Sequence, residues 1–298
     1  MHKEDGKMKN FSFVENRNKL FCALLALVVI GVVCFFAVGF NVDVDFAGGT
    51  EIVIEFPESI DSDTRAEVET TVAEVIGDKL SSVKASGDTG VMIRAKELTT
   101  DERNALIDTV VEKYGLDKDT ALSSNENVSA SVSDDLKKSA VTSATIAVVL
   151  MLLYITIRFK FSFAVASVVC LMHDIFVVIL FTSILSIPVN SNIIAVILTI
   201  LGYSINATII IFDRVRENMK LNAEGHTYAE IIDKSIKQTL NRSLYTTVTT
   251  LFTIIMVYIL GVPTIKDFAL PLIIGIIAGL YSSVCLAGPI AYAISKKK

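Results

Sequence analysis

A histidine and an aspartate stand side by side at His173 and Asp174, inside the apolar run Val168 to Leu180. Ionisable groups in the middle of so apolar a stretch are costly and are typically functional. Imidazole titrates near neutral pH and burial favours the protonated form of a carboxyl, so the pair is a candidate proton carrier. The alternative is a hydrogen-bonded pair that fixes helix packing. A second concentration of polar residues lies in Asn190 to Asn218, where Gly202, Tyr203, Ser204, Asn206, Ala207 and Thr208 form one small-and-polar run within an otherwise apolar segment. Such residues face other helices or a water-filled path, or simply form a close-packing surface. Asp213 ends this run where a carboxylate is cheap. Arg242, at the head of a later apolar run, is either a counter-ion reaching inward or an interface residue that snorkels. In Asp43-Val44-Asp45-Phe46-Ala47-Gly48-Gly49-Thr50, two carboxylates precede a Gly-Gly pair. That pattern is a weak metal or substrate signal, and a turn feeding a strand needs the same glycines.

The sequence holds no Walker-type phosphate loop, no zinc-binding helix motif and no nucleophile elbow. The expectation is therefore a non-enzymatic protein without cofactor or metal, drawing any energy from an ion gradient. Cys22, Cys34, Cys170 and Cys285 all fall in apolar runs, which implies no disulfide framework.

These residues need a membrane scaffold to position them. Of 298 residues, 52% are hydrophobic and only 20% charged, the balance of a polytopic membrane protein. After a polar segment 1–19, the chain from Leu20 to Phe40 is uncharged and long enough to cross a hydrocarbon core of about 30 Å. It lacks a cleavage site of the signal-peptide kind, so it reads as an uncleaved first span. Five further spans are expected at Ala140 to Ile157, Ser162 to Leu185, Asn192 to Phe212, Leu244 to Leu260 and Phe268 to Ile294, within a membrane region 139–298. Lys3, Lys7, Lys9, Arg17, Lys19, Arg158, Lys160, the stretch from Arg214 to Arg242 and Lys296 to Lys298 then share one side, which the positive-inside rule makes cytoplasmic for both termini. Within the loop 213–243, Ile232, Ile236 and Leu240 recur at helical spacing, as in an amphipathic helix lying at the inner membrane surface.

Residues 41–138 differ in kind. They carry 22 acidic and 10 basic side chains, a formal charge of −12, and read as a soluble acidic domain outside the membrane. Thr50 to Phe56 alternates as a strand, Asp61 opens a helix, Lys79 to Ser86 and Val91 to Ala95 flank a turn, and Thr99 or Thr100 caps a second helix ending at Gly115. A strand near Ala121 to Val128 completes a β-α-β-β-α-β order, which predicts a small ferredoxin-like α+β domain between the first two of six spans.

With these residues in view, the chain resembles the SecD/SecF family of protein-export membrane proteins, relatives of the resistance-nodulation-division transporters. The likeness rests on Asp45 to Thr50 (DFAGGT), His173-Asp174, Gly202 to Asn218 (GYSINATIIIFDRVREN), Thr239 to Leu251 (TLNRSLYTTVTTL) and Gly279 to Ile290 (GLYSSVCLAGPI), in order and on the expected spans. It implies an auxiliary subunit of the Sec translocase in the bacterial cytoplasmic membrane. Its implied partners are a SecD-type protein, a SecYEG-type translocon, a YajC-type small subunit, unfolded secretory polypeptide and membrane lipids, with no nucleic acid. Proton flow at the interface with the SecD-type partner would drive movements of the exported domains. On that basis His173, Asp174, Arg242 and Asp213 are proton-coupling candidates, Gly202, Tyr203, Ser204, Asn206 and Ala207 a polar contact to the partner, and Asp45, Gly48 and Gly49 a hinge. The sequence departs from the family pattern at Ala207, where an Asp usually follows Asn206, at Val44, and in Asn127 to Asp135, which lacks a Gly-Pro. A relay here must use another residue or a partner's carboxylate. An exporter of small molecules or lipids is the alternative, although such transporters carry larger outer domains; a scaffold without ion coupling is another.

Overall fold

The structure, a computed structural model, describes residues 12–221 and 225–295. Lys3, Lys7, Lys9 and Lys296 to Lys298, used above to assign sidedness, lie outside the described residues. In chain order the elements are α1 (Arg17–Val38), α2 (Val44–Ala47), β1 (Gly49–Glu55), α3 (Ser62–Ile76), β2 (Leu80–Ser86), β3 (Gly90–Ala95), α4 (Thr100–Tyr114), α5 (Lys118–Ala121), β4 (Leu122–Val128), α6 (Ala130–Arg158), α7 (Phe161–Ile184), α8 (Asn192–Lys220), α9 (Tyr228–Leu260), α10 (Pro263–Tyr281), a π turn (Ser282–Ala287) and α11 (Gly288–Ser295). They form two compact units: a helical one, and an α/β one built from Val42–Val141 together with Pro188–Ser191 of the α7–α8 loop.

In the helical unit, α1, α6, α7, α8, α9 and the run from α10 into α11 are each long and apolar enough to cross a membrane. The protein is thus a polytopic helical membrane protein with a small antiparallel sheet in its second unit. α7 and the α10–α11 run are its most buried parts, whereas few residues of α1 and α6 are fully buried. Phe163, Leu171, Leu201, Phe212, Ile232 and Leu286 form the centre of the core, with Phe163 stacked on Phe212 at 4.4 Å. Residues 228–243, expected as an amphipathic helix at the membrane surface, are instead the first half of the single 33-residue helix α9. A capping box of Thr227 and Glu230 starts it, and no breaker separates Ser243 from Leu244, so it runs straight into the span. α8 likewise continues through Asp213 to Lys220, so the expected loop 213–243 is helical at both ends.

The segment before α1 is pinned to α9 through a residue not singled out from sequence. Asp233 accepts hydrogen bonds from the main-chain N–H of Phe13 at 2.9 Å and of Val14 at 3.2 Å, and from the Ser12 hydroxyl. Phe13 and Val14 are thereby held in the bundle core.

In the α/β unit the strands order β2-β3-β1-β4 with all neighbours antiparallel. One face buries Ile52, Ile54 and Ile93 against Val68, Val72, Leu106 and Val110 of α3 and α4. Asp61 caps α3, and the reciprocal Thr99–Glu102 capping box starts α4. Gly49 enters β1 at φ 123°, and a Cβ there would lie 2.4 Å from the Ala95 carbonyl oxygen. Gly49→Ala combines strain at positive φ with a clash against fixed backbone, about 3 kcal/mol in all. In the full-length protein it should lower the melting temperature of this unit by roughly 10 °C or more, measured by thermal denaturation.

Candidate functional site

The buried centre of the helical unit is polar. Asp174, 0% exposed, is held by three side chains from three segments. Its Oδ1 lies 2.9 Å from His173 Nδ1 on α7. Its Oδ2 accepts from the Ser204 hydroxyl on α8 and from the Ser282 hydroxyl at 2.9 Å, at the start of the π turn. The π turn is what brings Ser282 here: the widened turn resets the register after α10, and such irregularities recur at functional sites. Gly279 provides the close approach, since a Cβ would meet Ser204 Cβ at 3.2 Å. An ionised carboxylate only accepts hydrogen bonds, and here it meets up to three donors. A proton on Asp174 turns one oxygen into a donor, so a hydroxyl must rotate away or the imidazole change tautomer. Protonation is therefore tied to how α7, α8 and the π turn meet. His173 also lines an apolar cavity of about 380 Å³ with Leu24, Val177, Phe181 and Tyr281, its ring 5.9 Å from that of Tyr281.

The other residues singled out from sequence separate. Ser204 turns inward to Asp174, and Tyr203 donates its hydroxyl to Thr247 of α9 at 3.0 Å. Gly202 and Asn206 are exposed, and Ala207 is half-buried. Asp213 sits two and a half turns along α8 from Ser204, about 13 Å away. It is exposed and ion-paired with Arg158 at 3.6 Å and Arg216 at 3.9 Å, and it does not join the Asp174 group. Arg242 lies on the exposed face of α9 with Tyr245, Thr246 and Thr249. The sequence signal for Ser282 is a pair of serines in an apolar run, which sequence reasoning passed over.

In the α/β unit, Asp43 caps α2 and Asp45 Oδ2 accepts from the Ser191 main-chain N–H at 2.8 Å. Gly48 takes φ 74°, ψ 158° at the end of α2, delivering the chain to Gly49. Asp43 is also bound by Arg94, which pairs with Glu51 as well. Sequence reasoning passed over both partners, although an arginine in the strand Val91-Met92-Ile93-Arg94-Ala95 was a visible signal. Among the described residues no cluster of three or more His, Cys, Asp or Glu is arranged to hold a metal ion.

Six apolar helices among the described residues, an α/β unit interrupting them after the first, and a carboxylate buried where three helical segments meet define a polytopic membrane protein with an ionisable group at its centre. Comparison with known proteins gives the family. Residues 109–297 match the family model described as protein export membrane protein SecD/SecF, C-terminal. A protein translocase subunit SecF of Acidaminococcus fermentans is 35% identical, over 97% of this chain and 99% of that one. One of Borreliella burgdorferi is 32% identical over 97% and 98%. The crystal structure of SecDF, a translocon-associated membrane protein from Thermus thermophilus, superposes with a TM-score of 0.84 at 30% identity over 96% of this chain. This chain spans 39% of that longer SecDF chain. The chain belongs to the SecF family of protein translocase subunits, membrane proteins of protein export.

Proposed function

We propose that this chain is a non-enzymatic auxiliary subunit of the Sec translocase which, with a SecD-type partner, uses the proton motive force to promote export. The Asp174 junction carries this reading. Ala207 stands where the family pattern has Asp, and Asp174 is a wholly buried carboxylate one helix away, with a histidine and two hydroxyls in reach. One charge moving across about 100 mV releases about 2.3 kcal/mol, enough to trade one packing of such a junction for another. α7 and α8, which bear Asp174 and Ser204, are joined by the loop whose residues Val189 and Ser191 bond to Asp43 and Asp45. A change in the α7–α8 junction therefore pulls on a strap tied to the α/β unit, with Asp45, Gly48 and Gly49 as the hinge.

The subunit sits in the bacterial cytoplasmic membrane with both termini cytoplasmic and residues 41–138 outside. The basic residues Arg17, Lys19, Arg158, Lys160 and Arg214 support this orientation. The sheet order and its two helices support a ferredoxin-like sandwich for the outer domain. The SecD-type partner covers the exposed face of Gly202, Asn206, Arg242, Tyr245 and Thr249, where small residues allow close approach and the side chains of Asn206, Arg242 and Tyr245 are costly to leave facing lipid. A SecYEG-type translocon, a YajC-type subunit, unfolded secretory polypeptide and lipids complete the set of partners.

The test is import of a secretory protein into inverted membrane vesicles, with the chain present or depleted and with or without an uncoupler. The increment that an uncoupler abolishes should require the chain; an increment that survives depletion sinks the reading. Ala207→Asp should raise that increment, since it adds a carboxyl one turn along α8 from Ser204, and an unchanged rate would place position 207 outside the proton path.

A further inference from the structure

One group of buried charges lies outside the helical unit and takes no part in the Asp174 junction. On the sheet face away from α3 and α4, Glu51 of β1 stands in register with Arg94 of β3 on one side and Glu126 of β4 on the other. Arg94 Nε donates to Glu51 Oε2 at 2.6 Å, Nη2 to Asp43 Oδ1 at 3.2 Å, and Nη1 to the Val42 carbonyl at 3.4 Å. Asp43, Glu51 and Arg94 are each less than a tenth exposed. Asp45, on α2, adds a fourth carboxylate, and Lys84 of β2 lies on the same face, opposite Met92 and two pairs along from Arg94. One guanidinium shared by two buried carboxylates, with half-buried Asp45 and exposed Glu126 beside them, leaves an excess of negative charge that burial makes costly. Burial, then the charge of Asp43, lift Glu51 to about 7 against the opposing hydrogen bond from Arg94. Glu126 moves up as well, through burial and then through Asp45 and Asp43.

We propose that Glu51 is a proton-binding site of the α/β unit, and that its occupancy decides whether Arg94 is shared or given wholly to Asp43, clamping the neck Val42–Ala47 onto the sheet. With the proton bound, Asp43 is the one full anion in contact with Arg94. Its side chain caps α2 and its main-chain N–H is bonded to the Val189 carbonyl at 3.2 Å, so holding Asp43 holds the neck and the loop beside it. With the proton gone, Glu51 draws Arg94 towards β1 and repels Asp43, and the neck loosens. If the α/β unit faces the side acidified by the proton gradient, as proposed above, the clamp closes as the gradient builds; proton binding itself does not depend on that orientation.

The chain has no tryptophan, so Phe46→Trp places a single reporter in α2. In the full-length protein in detergent, its emission should follow a sigmoid between pH 5.5 and 8.5 with its midpoint near 7, and deuterium uptake across residues 42–48 should rise through the same midpoint. Adding Glu51→Gln should hold both signals at their acid values, and adding Asp43→Asn should move the midpoint to lower pH. Asp174→Asn should leave the transition untouched, which separates this site from the coupling site. A transition that survives Glu51→Gln at the same midpoint belongs to Glu126 or another group and overturns the proposal, as does a flat response in both measurements.

Discussion

Asp174→Asn should abolish the part of export that an uncoupler removes while leaving the amount of folded protein nearly unchanged. Asparagine has the shape of aspartate, and its carbonyl oxygen can keep the Ser204 and Ser282 hydroxyls as donors. Its amide can donate to His173 Nδ1 once the imidazole changes tautomer. Every polar group at the junction stays paired, so the stability loss should be about 1 kcal/mol. What asparagine cannot do is gain and lose a proton. Asp174→Ala differs in kind. It strands the Ser204 hydroxyl and an imidazole nitrogen in a buried site, and leaves the Ser282 hydroxyl only the Gly279 carbonyl at 3.3 Å. At about 1–3 kcal/mol for each buried group left unpaired, the loss is enough to deplete the protein itself. Comparing protein level with uncoupler-sensitive export in the two variants therefore separates a coupling role from a packing role. Full gradient dependence in Asp174→Asn would remove this carboxyl as the carrier, and equal depletion of both variants would make it a packing residue.

The features that were legible from sequence are those that repeat along the chain. Apolar runs of helical length mark the six long helices, and the alternation in Thr50 to Phe56 marks β1, because each reports on a single element. Partners across elements leave no such periodic trace. Ser204 stood out as a polar residue in α8, yet that it turns to Asp174 while Asn206 turns outward depends on which neighbour each face meets. Ser282 reaches Asp174 through a π turn, and a 3.6-residue repeat carries no mark of where a turn will widen. Glu51 alternates with Ile52 and Ile54 and so reads as a solvent-facing residue of an amphipathic strand. It is buried because the neck folds over that face, a contact between residues already on either side of a sharp Gly48-Gly49 turn. The continuity of α9 was missed for the opposite reason: a polar half followed by an apolar half suggests two helices by composition, but no residue between them ends the hydrogen-bond ladder.

Arg94→Ala should be among the most destabilising substitutions in the α/β unit, and its cost should depend on pH. Removing one partner from a buried ion pair typically costs about 3–5 kcal/mol, because the charge left behind has neither water nor counter-ion. Here it leaves two such charges, Asp43 and Glu51. Glu51 binds its proton more tightly in the folded protein, near 7, than at its ordinary value of 4.5. Its protonation therefore favours the folded state: that contribution is fully present below about pH 4.5 and is lost as pH rises through about 7. Loss of the arginine removes the two influences that hold Glu51 down and pushes it higher still. At pH 8 the variant faces the full repulsion between Asp43 and Glu51, or must take up a proton to avoid it. At pH 5.5 Glu51 is already neutral and can donate its own hydrogen bond. The gap in melting temperature between Arg94→Ala and the parent, measured on the full-length protein, should thus be wider at pH 8 than at pH 5.5. Arg94→Met, which keeps an apolar stem without the charge, should show the same dependence. A gap of equal size at both pH values would mean that Arg94 supports this face by filling space, and that its charge matters little to the fold.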